Sequence, residues 1–484
     1  VPRRNVVLVN SNEMKPPVAP LALDYIGGRV AAAGIEVTLV DLSFVDDPAR
    51  EIAHTLADAD PIAIGVSFRN TDDCYLSSGA WFVPRLGEII ELIRSATPVP
   101  IVLGGCGFSI FPVRILETCG VDLAVVGDGE DAFLKLVQCL TDGKDYRSVA
   151  GLAYRDDHGE IMLNPPRYNG SLDIPIGRQL IDNARYLREG AMGSIETKRG
   201  CPEKCIYCAD PLAKGRIIRC RPAGQVADEI ESLLGQGVDI LHLCDGEFNI
   251  PSQHAMAVCE EMIARKLGDR VRWYCYASVE PFSAELATEM RRAGCVGINF
   301  GADSGCNRML AALGRTYDRE DIQRTVRYCR GAGISVMLDL LIGGPGEDAT
   351  SVAETIDFVK AADPDRAGAA TGVRIYPGTR LAEIVSRQGP LPDNPNLQGH
   401  VIDNAGFFRP VFYVERQLGD DPGALVCDLI GGDGRFFPPP RAKDATNYNY
   451  NDNLVIQEAI AAGHRGAFWD ILRRLASEKP KPLF

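Results

Sequence analysis

The chain has 484 residues, 46% of them hydrophobic and 24% charged, with a formal net charge of −14. That length supports two or three domains with ample cores, and the acidic balance argues against a phosphate-tracking surface, so no nucleic-acid partner is expected. No apolar run reaches the length of a membrane span, the first residues carry no secretory pattern, and the scattered cysteines fit a reducing, cytoplasmic setting.

Asn5-Val6-Val7-Leu8-Val9-Asn10 is a short apolar run ending in polar residues, the form of a buried parallel strand that opens onto a ligand loop. The next segments repeat the plan: helical spacing from Leu21 to Ala33, a strand over Glu36 to Asp41, a helix over Ala49 to Asp58, and a strand over Ile62 to Ser67. Trp81 to Ala96 then leads to strands at Pro100 to Gly105 and from Leu123. This alternation predicts an α/β fold, a doubly wound Rossmann-like sheet over 1–145. Its ligand is expected over the carboxyl ends of the strands, at Asn10, Ser11, Ser67, Phe68, Arg69, Gly104, Gly105, Gly127 and Gly129.

Tyr154 to Ile161 reads as a hairpin, and Asn164-Pro165-Pro166 to Pro175 as an extended connection, so 146–190 is expected to be a linker. Strand and helix alternate again over 191–385. Strands are predicted near Ser194 to Arg199, Ile240 to Cys244, Val271 to Tyr276, Val296 to Phe300, Ser335 to Leu341 and Gly372 to Tyr376. Six such units make a partial (β/α)6 barrel resembling part of a TIM barrel, with chemistry at the strand carboxyl ends.

Within it lies Gly200-Cys201-Pro202-Glu203-Lys204-Cys205-Ile206-Tyr207-Cys208. Three thiolates on a loop softened by Gly200 and Pro202 suit three irons of a [4Fe-4S] cluster and leave the fourth iron open. Structural zinc would ask for four protein ligands and catalytic zinc for three plus water. No fourth Cys or His stands at a natural spacing, and Cys220 follows a basic run at the loop's exit.

Cys-x3-Cys-x2-Cys with Tyr207 before its last cysteine resembles the signature of the radical S-adenosylmethionine (SAM) enzymes. The resemblance implies Cys201, Cys205 and Cys208 as cluster ligands, SAM chelated at the open iron, and a 5′-deoxyadenosyl radical formed with an external one-electron reductant of flavodoxin or ferredoxin type. It places Tyr207 beside the adenine. Asp245-Gly246-Glu247 stands where the family carries a Gly-Gly-Glu-like element facing the SAM amino group, and Ser278 where ribose hydroxyls are bound. Gly301-Ala302-Asp303-Ser304-Gly305 resembles Gly-Ile-Glu-Ser-Gly, which makes Asp303 and Ser304 SAM contacts. Arg315 either pairs with the SAM carboxylate or caps a helix. Gly343-Gly344-Pro345-Gly346-Glu347 and Tyr376-Pro377-Gly378-Thr379 match later family turns, while His242 and His254 suggest core or surface roles.

The first domain is similar to the cobalamin-binding domain that precedes the radical domain in one large subclass, with Gly104-Gly105 and Gly127-Asp128-Gly129-Glu130 as its later ligand loops. No Asp-x-His-x-x-Gly occurs, so no histidine is offered as a lower axial cobalt ligand. Arg69 is expected at the corrin's lower face, a cation that cannot coordinate. Its plain alternative is a surface arginine paired with the nearby Asp72 or Asp73. Similar domains also occur without a corrin, and Cys74, Cys106 and Cys119 read either as small core residues or as ligands of a second cluster, as in methylthiotransferases.

After Pro390 the composition shifts to aromatics and amides at Phe407-Phe408, Phe436-Phe437 and Asn447-Tyr448-Asn449-Tyr450-Asn451, followed by helices from Leu454 and Phe468. The segment 386–484 is expected to form a small, mainly helical domain that covers the barrel mouth and recognises substrate, or simply packs. The resemblances imply a cobalamin-dependent radical SAM methyltransferase of the class B type, acting on an unactivated carbon of a small-molecule, natural-product or peptide substrate, with Tyr207 and Arg69 as catalytic candidates. Non-methylating rearrangement, cyclisation or carbon–carbon joining is the alternative within the class, and a corrin or redox sensor the alternative outside it.

Overall fold

A computed structural model describes residues 5–168, 172–174, 177–439 and 453–478. The first sheet comprises β1 (Asn5–Asn10), β2 (Glu36–Asp41), β3 (Ala63–Ser67), β4 (Ile101–Gly104), β5 (Leu123–Val125), β6 (Leu152–Arg155) and β7 (Ile161–Leu163), in the order β2-β1-β3-β4-β5-β6-β7. The first five are parallel, and β6 and β7 add an antiparallel hairpin at the edge. The 146–190 stretch is therefore more than a connection, because its hairpin extends this sheet. Along β1, Val7 and Val9 enter one core and Val6 and Leu8 the other, as the period of two requires of a strand covered on both faces. Strand order reverses between β1 and β3, which opens a crevice at their carboxyl ends.

The second parallel sheet begins at β8 (Gly193–Ile195). A short antiparallel ladder, β9 (Lys198–Arg199) with β10 (Arg219–Cys220), then interrupts it and closes the base of the cysteine loop. The sheet resumes with β11 (Ile240–Leu243), β12 (Arg272–Ala277), β13 (Cys295–Asp303), β14 (Ser335–Ile342) and β15 (Arg366–Thr371). These six lie in the order β8-β11-β12-β13-β14-β15, an open partial barrel over a single large core.

The sixth strand differs from expectation. It is Arg-Ala-Gly-Ala-Ala-Thr, six residues earlier than predicted, with none of the β-branched run that marks a strand; pairing of its whole length with Met337 to Ile342 of β14 imposes the extended form. Gly372 to Tyr376 instead contributes β16 (Val373–Arg374) to a small antiparallel sheet with β17 (Leu397–Gly399) and β18 (Val411–Tyr413), and β19 (Phe436–Phe437) adds to the free edge of β15.

The carboxy-terminal helices Leu454–Ala461 and Phe468–Glu478 pack against one another over the barrel mouth. Trp469 is fully buried and donates its indole N–H to Asn299 Oδ1 at 2.6 Å, while Asp470 accepts from Tyr274 Oη at 2.8 Å. Asn447 to Asn451 lie outside the described residues. No described helix is long and apolar enough to cross a membrane.

A buried ionic network fixes the two sheets to each other. Arg199 pairs with Glu130 at 2.6 Å and Glu196 at 2.7 Å, Arg219 with Asp128 at 3.0 Å, and Arg178 with Asp24 at 2.5 Å and Glu229 at 2.7 Å. Arg221 joins Glu229 and the Tyr25 hydroxyl from the same side. Charges this deep persist only when each has partners, and here the partners come from different domains.

Candidate functional site

The cysteine loop leaves β9 at Gly200, whose φ of +90° and whose approach to Ile217 allow no side chain: a Cβ there would lie 2.2 Å from the Ile217 carbonyl oxygen. Ile206 is held on both sides, its N–H donating to the Leu313 carbonyl at 3.0 Å and its carbonyl accepting from the Leu381 N–H at 2.8 Å. Cys201, Cys205 and Cys208 all open onto one cavity of about 660 Å³ at the barrel mouth. Burial pushes the Cys205 and Cys208 thiols up to about 12 and raises Cys201 as well. A metal that binds them must therefore displace their protons. Among the described residues no trio of His, Cys, Asp or Glu converges as a single metal ion requires. The three thiols line one wall of that cavity.

Glu247 and Gly246 line the same cavity. The Glu247 carboxyl is raised to about 7, chiefly by burial, with Arg315 and Lys198 pulling the other way. It makes no hydrogen bond or ion pair to the described chain, which leaves it available to a cationic ligand. Asp245 is different: its carboxylate accepts from the Thr197 N–H at 2.8 Å, the Thr197 hydroxyl and the Lys198 N–H at 3.2 Å. It ties the end of β11 to the turn entering the cysteine loop, and His254 supports that turn through Thr197.

Several expected contacts are turned inward. Asp303, at φ +58°, pairs with Arg315 at 2.6 Å, and both bond to the Tyr207 hydroxyl, at 2.8 Å each. Burial, and then the Asp303 carboxylate, hold the Tyr207 phenol well above its ordinary range. Arg315 thus serves Asp303 and Tyr207 rather than capping a helix, although Tyr207 and Arg315 still reach the cavity wall. The Ser304 hydroxyl is engaged by Thr355 at 2.8 Å and by the Cys306 N–H; Ser278 is held through its backbone by Asn249 and is buried. Neither serine lines the cavity.

The first domain opens a second cavity, of about 390 Å³, floored by Ser67, Gly104, Gly105, Gly127 and Gly129. Gly105 has φ +106°, and a Cβ there would stand 2.5 Å from the Phe68 carbonyl oxygen. This glycine floor lets a broad planar ligand lie close to the backbone, and the buried amide nitrogen of Asn12 on its wall has no partner among the described residues. Both features fit a corrin with its acceptor-bearing side chains. Asn10 lines the wall, but its amide already donates to Asp41, Ser43 and Tyr186. Ser11 donates to the Ser67 carbonyl at 2.7 Å, and Phe68 is buried. Glu130 lines the cavity while its carboxylate is taken by Arg199; burial alone would raise it, yet Arg199 holds it below its usual range.

The two cavities meet, sharing Val18, Ala19, Arg69, Ser194, Asp210, Lys214 and Cys244. Arg69 makes no ion pair or side-chain hydrogen bond with the described residues, and the acid beside it in sequence, Asp72, pairs instead with Arg374. Sequence reasoning set His242 aside, yet it lines the barrel cavity, where burial lowers it to about 4 and keeps the ring neutral. Its position on an otherwise apolar strand gave no signal. Cys74 and Cys106 are exposed rather than core residues, and only Cys119 of that trio is buried.

Comparison with known proteins agrees with this geometry. A B12 binding domain model matches residues 7–137, and a radical SAM superfamily model matches residues 195–359. The tryptophan 2-C-methyltransferase of Streptomyces laurentii is 28% identical, over 96% of this chain and 95% of that protein. A solved structure of the radical S-adenosylmethionine methyltransferase TsrM from Kitasatospora setae, with tryptophan substrate and a SAM analogue bound, is similar with a TM-score of 0.90 and 31% identity, covering 98% of both chains. A second structure of that protein, with cobalamin and a [4Fe-4S] cluster bound, gives a TM-score of 0.88 at 30% identity, again over 98% of both.

Proposed function

The chain belongs to the cobalamin-dependent radical SAM methyltransferases, and on that footing we propose that it methylates a ring carbon of tryptophan or a close indole relative held in the barrel-mouth cavity. Its cofactors are cobalamin, a [4Fe-4S] cluster and SAM. When bound, they supply a methyl carrier and an activated sulfonium; the protein supplies positions, charges and the exclusion of water.

The observation that carries this reading is the junction of the two cavities at Arg69, with the cysteine wall on one side and the glycine floor on the other. Cys201, Cys205 and Cys208 are proposed as the cluster ligands, and Glu247 as the partner of the SAM ammonium group. Asp245 acts through its carboxylate, which accepts from the Thr197 and Lys198 amides and sets the turn that aims the cysteine loop. Tyr207, Asp303 and Arg315 act together as a rigid rear support for that loop. Arg69 faces the cobalamin site as a fixed cation without a lone pair to offer, so the metal there would receive no ligand from it.

An aromatic substrate finds suitable walls in Tyr276, Phe468 and Trp469, which line the cavity around Asn299. Tyr276 is 44% exposed, and the exposed part belongs to a cavity-lining residue. The test is direct: reconstitute the protein anaerobically with iron, sulfide and cobalamin, add methyl-labelled SAM with tryptophan, and analyse products by mass spectrometry. One labelled methyl on the indole ring is the expected result. Label transfer to no indole, from a sample carrying both cofactors, would overturn the substrate assignment.

A further inference from the structure

The helix Asp210–Lys214 follows Cys208 closely and carries an acid and a base at i and i+4, on one face. Both side chains line the barrel cavity and the crevice of the first domain, so the pair stands where the two cavities meet. Asp210 Oδ2 and Lys214 Nζ are 3.7 Å apart, too far for a hydrogen bond, and the side chains are only 34% and 20% exposed. Neither side chain forms a hydrogen bond with the described residues. The interdomain ions behave otherwise: Arg199 and Glu130 are joined by two contacts, at 2.6 and 3.0 Å. A charge drawn out of water without hydrogen bonds is costly, and a ligand that supplies those bonds relieves the cost.

We infer that Asp210 and Lys214 form the head-group site for a free α-amino acid substrate, Asp210 receiving its ammonium and Lys214 its carboxylate. The inference rests on the reading of the barrel cavity as the place where an indole ring is methylated. An α-amino acid carries both of its charges on one tetrahedral carbon, so its head group matches two opposed charges set close together and left unbonded. No other charges on that wall offer the pattern among the described residues. Arg315 is committed to Asp303 and Tyr207, Asp245 to the Thr197 turn, and Glu247 has no ion-pair partner. Tyr276 and Phe468 line the same cavity, so one chamber serves both the head group and the ring. The pair thereby separates a free amino acid from a peptide-linked residue, whose amides carry neither charge and leave both ions unbonded.

The test is equilibrium dialysis on the full-length protein reconstituted with iron, sulfide and cobalamin. Its probes are L-tryptophan, tryptamine, which lacks the carboxylate, and indole-3-propionate, which lacks the ammonium. Wild type is expected to bind tryptophan at least about tenfold more tightly than either truncated ligand. Lys214→Met should weaken tryptophan to the level of tryptamine while binding tryptamine no more weakly than wild type does. Asp210→Asn should do the same with respect to indole-3-propionate. Iron content, cobalt content and SAM affinity should match wild type in both variants. Tryptophan bound equally well by Lys214→Met and wild type, or tryptamine weakened in parallel with it, would overturn the head-group site and leave the indole reading standing. Loss of cobalamin or SAM affinity alone would assign the pair to a cofactor and overturn the site as well. If wild type carrying both metals binds none of the three indoles, the indole reading itself falls, and the head-group site with it.

Discussion

The two cavities sit at the carboxyl ends of two parallel sheets, yet they meet their ligands by opposite means. The first domain offers mostly backbone, with glycines at Gly104, Gly105, Gly127 and Gly129 keeping the floor flat. The barrel offers side chains: three thiols, the Glu247 carboxyl and an aromatic rim. A broad macrocycle is held by shape and many weak contacts, so what matters is the absence of side chains. A cluster and a small charged cofactor are held by a few strong bonds, so each side chain counts. Sensitivity to substitution should follow the same division.

The largest effect is expected at the thiols. Cys205→Ala should abolish the cluster's visible absorbance and all turnover while leaving cobalamin binding in place, measured on one reconstituted sample by iron and cobalt analysis. A full iron complement in that variant would break the distinction between the cavities.

Next comes the network that joins them. Arg199→Met strands Glu130 and Glu196 as buried carboxylates and should cost about 3–5 kcal/mol, read from denaturant midpoints. Adding Glu130→Gln removes one of the stranded charges and should recover part of that loss. Recovery of nothing would mean that the pair does not carry the coupling.

A smaller effect is expected on the glycine floor. Gly105→Ala puts a Cβ 2.5 Å from the Phe68 carbonyl at a φ of +106° and should cost roughly 1–3 kcal/mol in strain. Cobalamin affinity should drop at least about tenfold, as a shift of about 1.4 kcal/mol implies, with the iron content untouched. Equilibrium dialysis would reveal whether iron falls as well, which would erase the contrast.

The mildest prediction concerns pH. Burial holds the Glu247 carboxyl at about 7, so it gains charge as pH rises through that value. Only the carboxylate attracts the SAM ammonium, so affinity should weaken up to about tenfold per pH unit below 7 and level off above it. Isothermal titration of Glu247→Gln should give a flat profile; a slope that survives the substitution would assign the titration to another group.

The division also explains what the sequence revealed. The cysteine loop, Asp245-Gly246-Glu247 and the glycine turns are local patterns, readable because each chemistry demands a residue type at a fixed spacing. The position of Arg69 at the crevice, though not its role, was legible for a related reason, since it lies two residues after a strand that topology places there. The roles of Asp303, Ser304 and Glu130 were not legible, because a carboxylate or hydroxyl at the right motif position can turn toward a neighbour from another element. Asp303 turns to Arg315, and Glu130 crosses the domain boundary to Arg199. Arg178, which is fully buried and joins Asp24 to Glu229, has no sequence signal at all. The strand Arg366–Thr371 was hidden because its alanines and glycine carry no strand preference, and only its neighbours make it extended.

The ladder of β9 and β10 closes the base of the cysteine loop, and its facing residues, Arg199 and Arg219, are the ones that reach into the first domain. Among the described residues, the place where the chain would hold iron is therefore tied by buried ion pairs to the place where it would hold cobalt. Backbone amides of the ladder and of the helix Leu21–Ala32 should exchange with solvent as one cooperative block, and the separation between the two metal centres becomes a fixed property of the fold rather than an average over moving domains.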